Sequence, residues 1–375
     1  MKVFIENIKS YDYDKVRQFL QNVATEISLW KQLEGKNIIL LKPNMLGAYE
    51  PKKAVTTHPL VLEVIIDMLL EHGKEVMIGD SPGGTTSVQQ VYESTGIKEL
   101  THKKQVELVN FSDYGVVNKK TKNHNFGISK YIYEADAVIN VAKYKTHSLM
   151  YYTGAIKNLY GTIPGLKKSD YHKQNPELEK FSTVISELYL AIRPKLILNI
   201  VDGIIGMEGE GPSAGEVRRF NIMFASQSGG ALDLIAGKMM GFKTEQLKYI
   251  TEVMKAEGVK EEQIEIDKHW RGFQFKNVKI KRVSAFIKIL AYSPTFLKNI
   301  FRKLYFYYPA FDERKCRLCK VCEKSCPVQA ITIKQGAVKP VIDYNKCIKC
   351  MCCHELCPYQ AVYIKKSLLA KILLS

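Results

Sequence analysis

The stretches CRLCKVCEKSCP (316–327) and CIKCMCCHELCP (347–358) carry all nine cysteines of this 375-residue chain. Eight of them form two copies of Cys-x2-Cys-x2-Cys-x3-Cys-Pro, a spacing that predicts a pair of 4Fe-4S clusters. Three thiolates set three residues apart wrap one loop around three irons, and in paired clusters the last cysteine of each run ligates the other centre. The expected ligand sets are therefore Cys316, Cys319, Cys322 and Cys357 for one cluster, and Cys347, Cys350, Cys353 and Cys326 for its partner. Pro327 and Pro358 turn the chain away after the last ligand, because proline fixes its own φ and restricts the residue before it.

Both runs sit inside a longer repeat. DERKCRLCKVCEKSCPVQAITIK (312–334) aligns without a gap with DYNKCIKCMCCHELCPYQAVYIK (343–365), so that Asp312 matches Asp343 and Gln329 matches Gln360. A repeated supersecondary unit predicts a pseudo-symmetric pair sharing one core. Each half should be a ligand loop, a short helix and a strand, at 330–334 and 361–365. A disulfide framework suits a small secreted domain, whereas here no cysteine precedes Cys316 and no signal peptide opens the sequence. Structural zinc calls for paired Cys-x2-Cys units at longer separations. Cys352 is the ninth cysteine, with Val321 in the matching slot, and reads as a spare thiol packed beside a cluster.

Residues 1–270 alternate strand and helix patterns. Strands are expected at 37–41, 75–79, 106–111, 137–142, 196–201 and 220–224, and helices from Pro59 to His72 and near 176–192, 230–240 and 244–256. Such alternation predicts an α/β domain with a mostly parallel sheet covered by helices. Open sheets of this kind bind ligands beyond the carboxyl ends of their strands. Polar residues gather there: Lys42 and Asn44 after one strand, Asp80, Ser81, Gly83 and Gly84 after another, Lys143, Lys145 and His147 after a third, and Asp202 with the acidic turn 206–211 after a fourth. Lys42, Asn44, Asp80, Ser81, Gly83 and Gly84 are candidates for holding a ligand, since exposed N–H groups in a glycine turn suit an anion. His147 with Lys143 or Lys145 could supply a proton and bind an acidic substrate; the competing reading makes KYKTH a solvated strand edge. His58 reads as a helix-entry residue, with Thr56 or Thr57 offering the N-cap and Pro59 the first helical position.

The C-terminal part of the chain, from about position 311 onward, resembles a bacterial two-cluster ferredoxin domain. Residues 1–270 resemble domain-of-unknown-function family 362 (DUF362), often fused to such a module. That resemblance is carried by LLKPNMLG (40–47), TTHP (56–59), GDSPGG (79–84), KYKTH (143–147) and TGAIKNLYG (153–161). It implies a fold and a fused electron-transfer module rather than a reaction. The expected division is 1–270 for the α/β domain, 271–311 for a bridge, 312–366 for the small α+β ferredoxin-type domain, and 367–375 for a tail.

Charge is unevenly spread. The chain carries 55 Lys and Arg against 38 Asp and Glu, and from Arg271 onward the balance is 21 to 5. A basic region steers acidic redox proteins, anionic membranes or nucleic acid. No nucleic-acid-binding motif accompanies it, which counts against the last. The bridge has no acidic residue, and Phe296, Leu297, Ile300, Phe301, Leu304 and Tyr308 fall at helical spacing. Such a helix either lies on a membrane surface or docks the ferredoxin module. No stretch offers the roughly 20 apolar residues needed to span a bilayer, so the expected setting is cytoplasmic, with peripheral membrane contact open.

Dinucleotide and P-loop fingerprints are missing, as are the Cys-x3-Cys-x2-Cys pattern of radical enzymes and the Gly-x-Ser-x-Gly elbow of serine hydrolases. The leading expectation is an iron–sulfur oxidoreductase that passes electrons from a redox partner protein to a small ligand at the α/β loops. The alternatives are an electron-transfer adaptor without catalysis and a factor that assembles or hands on a metal cofactor.

Overall fold

The strand-forming residues before position 240 alternate between two apolar environments, and that alternation sets the architecture. In the computed structural model, which describes residues 1–83, 87–165, 167–280 and 307–367, Leu40 and Val138 pack on one face of the sheet, while Ile39, Leu41, Ile139 and Val141 pack on the other. Successive residues of a strand point to opposite faces, so strands apolar at every position need cover on both sides. Helices Tyr13–Glu26 and Pro59–Glu71 cover one face, and Leu178–Ile192, Gly229–Met240 and Lys248–Ala256 the other.

The chain runs through β1 (Phe4–Asn7), β2 (Ile38–Pro43), β3 (Glu75–Asp80), β4 (Glu107–Asn110), the hairpin β5 (Val116–Lys120) and β6 (Asn125–Ser129), β7 (Ala137–His147), β8 (Tyr151–Thr153), β9 (Leu196–Glu208), β10 (Glu216–Arg218) and β11 (Ile222–Ser226). The sheet order is β1-β11-β9-β7-β2-β3-β4, with β8 on β7 and β10 on β9. Strands β9, β7, β2, β3 and β4 are parallel; β11 and β1 close one edge antiparallel. Connections step outward from β2 through β3 to β4 and, on the other side, from β7 to β9. The switch point therefore lies between β2 and β7, where crevices form in open α/β sheets.

Two strands run longer than their sequence patterns suggest. KYKTH continues β7, and every residue of that strand is buried, so it is no solvated edge. Strand β9 takes in Asp202 and the first part of the acidic turn. A register shift between Lys143 and Lys145 against β9 kinks this extension. His58 caps helix Pro59–Glu71 itself, its Nδ1 accepting from Leu60 N at 3.2 Å, in place of the expected threonines.

Beyond the bridge, β12 (Tyr307–Phe311) pairs with β15 (Val362–Lys366), and β13 (Ile331–Thr332) with β14 (Val341–Ile342). The short helices Val321–Lys324 and Cys352–Glu355 occupy matching positions of the repeat. The correspondence extends to backbone conformation: Leu318, Lys320 and Gln329 have positive φ, and so do their counterparts Lys349, Met351 and Gln360. Left-handed non-glycine residues are costly and persist only where the fold over-determines them, here in loops that must curl around a centre. The amphipathic pattern at 296–304, Gly84 and the tail from 368 lie outside the described residues.

Candidate functional site: a crevice closed by the cysteine module

The two cysteine runs exchange their last members. Cys316, Cys319, Cys322 and Cys357 line one small cavity, and Cys326, Cys347, Cys350 and Cys353 line another. These are the two expected sets. Ala330 N donates to Cys326 Sγ at 3.2 Å and, at the equivalent place in the second half, Ala361 N donates to Cys357 Sγ at 3.3 Å. Among the described residues, no three His, Cys, Asp or Glu side chains come close enough to share one ion. Zinc would draw four sulfurs to about 2.3 Å from a single centre, whereas a cubane occupies the space between its thiolates and meets each through a different iron. Burial pushes the Cys322 thiol up to about 12 and Cys353 well above its ordinary value, so thiolates there need bound cations. The donor set fits 4Fe-4S clusters.

At the switch point of the large sheet lies a cavity of about 100 Å³. Its floor is Lys42 at the end of β2, in a buried ion pair of 2.8 Å with Asp80 at the end of β3. The Asp80 carboxylate also accepts from Met45 N and Ser81 N, which ties both strand ends together. A Cβ on Gly161 would fall 2.0 Å from Asp80 Oδ1 and 2.7 Å from Lys42 Nζ, so only glycine fits over the pair. Lys168 donates to Ser81 O, Ser81 Oγ and Ile163 O, and burial brings its ammonium down to about 7 despite Asp80.

A further wall comes from TGAIKNLYG. Buried Asp233 accepts from Ala155 N and Ile156 N at 2.8 Å each and fixes the start of helix Ala155–Asn158. Gly154 is needed because a Cβ there would lie 2.2 Å from Asp233 Oδ1. Asn158 then reaches Asn140 Oδ1 and Lys42 O, and Lys157 on the same turn faces the cavity.

The remaining wall belongs to the cysteine module: Cys352, Glu355 and Leu356 all line the cavity. Glu355 Oε1 lies 3.0 Å from His147 Nε2. His147 Nδ1 accepts from Leu149 N and Met150 N, which leaves the ring's single proton on Nε2, facing Glu355. Burial lowers His147 to about 4, so the ring is neutral at pH 7. Burial alone would raise Glu355, but His147 and Lys157 more than offset it, and the carboxyl sits below its ordinary value. Ser213 Oγ donates to Glu355 O, Gln360 Nε2 to Ser213 O, Tyr49 OH to Cys357 O, and Lys366 pairs with Glu210. Gly83 makes room for Leu356, whose Cδ2 would be 2.5 Å from a Cβ there.

Of the expected site residues, Lys42, Asn44, Asp80, Ser81, Gly83 and Lys145 line one cavity. Lys143 does not: its Nζ is 2.7 Å from Asp202 Oδ2 and 2.7 Å from Tyr11 OH, with both charged side chains wholly enclosed. His147 lies behind the wall, its Nε2 3.0 Å from Glu355 Oε1. Lys168, His172 and Glu355 join the site without a signal in the sequence, and Lys157 joins it from TGAIKNLYG, a motif that carries the family resemblance but no assigned role. Lys168 and His172 lie on the polar helix Lys167–Gln174, which reads as a solvated face, and Glu355 hides among the spacer positions of a cysteine run.

An α/β domain with a strand-end crevice, walled by a module of two interlocked cysteine quartets, defines an iron–sulfur protein with an electron-transfer module. Residues 39–238 match the family model described as domain of unknown function DUF362, and the chain belongs to that family; residues 315–361 match the 4Fe-4S dicluster domain. A thylakoid-associated protein of Synechocystis sp., sll1697, is 32% identical over 198 residues, which cover 52% of this chain and 61% of that protein. The chain thus spans less than two thirds of that relative. The lactate racemase apoprotein from Thermoanaerobacterium thermosaccharolyticum aligns with TM-score 0.40 and 16% identity over 62% of this chain and 55% of its own. Among the described residues no helix is long and apolar enough to cross a membrane.

Proposed function

We propose that this protein is an iron–sulfur oxidoreductase with two 4Fe-4S clusters, carrying electrons between an external protein partner and a small ligand in the crevice. The shared wall carries the reading. Cys352 lies between the ligands Cys350 and Cys353, lines the cavity of the second quartet, and also lines the crevice. A ligand in the crevice is thus separated from that quartet by little more than one short helix. Clusters held by the quartets supply reversible one-electron transfer. The chain's own residues enclose the ligand, and Lys168, with an ammonium near 7, can hold or release a proton at neutral pH.

Cys319 is exposed, and so are Arg314, Lys315, Arg317 and Lys320 around it. This rim suits an acidic electron carrier, since complementary charge speeds docking. A cytoplasmic setting fits thiols that must stay reduced for cluster insertion. The basic bridge, and the association with thylakoids that the cyanobacterial relative's name states, favour peripheral membrane contact.

The test is anaerobic reconstitution followed by iron counting and spectroscopy of the reduced protein. About eight irons per chain are expected, with Cys350→Ser losing about half of them and slowing ligand-dependent reoxidation. A chain that holds zinc, or reduced clusters that no candidate ligand reoxidises, would overturn the enzymatic reading.

A further inference from the structure

The crevice is lined by four lysines, Lys42, Lys145, Lys157 and Lys168, against two carboxylates, Asp80 and Glu355. Each ammonium has three donors, and the four lysines differ in how many are used. Lys42 spends its three on Asp80, Pro43 O and Asn158 Oδ1, and Lys168 on Ser81 O, Ser81 Oγ and Ile163 O. Lys145 donates only to Asn44 Oδ1 and Val55 O, both at 2.7 Å, and has no carboxylate partner among the described residues. Lys157 makes no hydrogen bond or ion pair with any described residue; its Nζ sits 5.8 Å from the centre of the Tyr160 ring. One donor of Lys145 and three of Lys157 therefore stand open in the same cavity.

An enclosed positive charge without a counter-ion is costly. After burial itself, Lys157 is the strongest influence lowering the Lys145 ammonium, so the two cations act on each other directly. Glu355 raises both ammonium groups electrostatically, yet among the described residues neither Lys145 nor Lys157 forms an ion pair with it, so their open donors stay unmatched. A cavity of about 100 Å³ has room for a ligand of a few heavy atoms, given that a single water needs roughly 10–15 Å³ by the same measure.

We propose that the crevice binds a small oxyanion, a carboxylate or a phosphate, whose oxygens bridge the ammonium groups of Lys145 and Lys157. This deepens the redox reading and rests on it for the chemistry after binding, while the binding itself is measured without electron transfer. The anion supplies the direct partner that the open donors of Lys145 and Lys157 lack, and it brings the rest of the ligand against Cys352 and Glu355. Lys42 and Lys168 add field without spending a donor.

The experiment is calorimetric titration of the anaerobically reconstituted full chain, at low ionic strength, with acetate, inorganic phosphate and acetamide. Acetamide has the size of acetate without its charge. At least one of the two anions should bind with acetamide silent, and Lys157→Met should weaken that binding tenfold or more. Lys157→Arg should recover most of it, and Lys52→Met, at an exposed site that does not line the crevice, should change nothing. Lys157→Met breaks no hydrogen bond or ion pair among the described residues but removes a cation that helps hold Glu355 ionised, so unchanged cluster absorbance and melting temperature are required to show that the fold is intact. Equal binding of acetamide, no binding of either anion, or an affinity indifferent to Lys157→Met would overturn the proposal. Reoxidation of the clusters by a neutral ligand alone would remove the anion claim and keep the redox reading. Anion binding with clusters that no ligand reoxidises would do the reverse.

Discussion

Lys143→Met separates a folding role from a catalytic one within KYKTH. The Lys143 ammonium lies 2.7 Å from Asp202 Oδ2, and neither side chain is exposed at all. Methionine keeps most of the stem's volume but leaves a buried carboxylate without its cation, a change that costs about 3–5 kcal/mol. Asp202 would keep Tyr11 OH at 3.0 Å, His58 N at 3.2 Å and Ile204 N at 3.3 Å. Those three donors put the expected loss at the lower end, about 3 kcal/mol. Adding Asp202→Asn removes the lone charge while keeping an acceptor for Tyr11, and should recover more than half of that loss. The assay is urea unfolding of the reconstituted protein followed by tryptophan fluorescence, since Trp30 and Trp270, the two tryptophans of the chain, both report on the α/β domain. At temperatures where the variant is folded, oxyanion affinity should match the parent. A stability change below about 1 kcal/mol together with lost ligand-dependent reoxidation would refute the buried-pair account and return Lys143 to the site.

Gly161→Ala forces a methyl onto the Lys42–Asp80 pair and should cost about 3 kcal/mol or more, read as a lowered urea midpoint; a variant as stable as the parent would mean that the pair is not held under Gly161. Burial depresses His58 to about 4, His147 to about 4 and His172 to about 3, all below the 6.5 of the unfolded chain. Below pH 6.5 the unfolded state then binds more protons, so this stability is fully present at pH 7 and is lost as pH falls toward 4, at about 1.4 kcal/mol per unit per histidine. His172→Phe should flatten the slope between pH 6.5 and 5 in urea titrations by about that amount. Lys168 faces Asp80 and Lys42, and a bound oxyanion raises its ammonium above the free value of about 7. Binding therefore takes up a proton above pH 7, and calorimetric affinity should fall as pH rises from 7 to 9; an affinity that rose over that range would contradict the charge assignment.

Individual residues show how far the primary sequence reaches. Lys42, Asn44 and Asp80 are legible because a strand's carboxyl end is recognisable from an apolar run that stops, and parallel sheets put such ends together. The same logic brings in Lys143, which the structure removes. Nothing local says that β7 continues as a fully buried strand, or that a kink after Lys143 sends one lysine to Asp202 and the next to the crevice. Gly83 looks like a turn glycine, yet its lack of a Cβ leaves room for Leu356, which belongs to the cysteine module at the far end of the chain.

The cysteine module is legible from the one-dimensional pattern because cluster ligation is local. Spacings of three residues and a terminal proline already contain the geometry of the loop, and the duplicated segment supplies the cysteine that completes the opposite quartet's cavity. The strand–helix alternation carries the α/β layering for a similar reason, since which face a residue presents depends on a short repeat period. The crevice is different in kind. Its charge arises from Lys145, Lys157, Lys168 and Glu355, which lie on separate elements of both modules. Folding of the α/β domain gathers the three lysines at the switch point, and docking of the cysteine module adds Glu355 and closes the wall, because a cavity's electrostatics depend on which groups share an enclosure and not on where each stands along the chain.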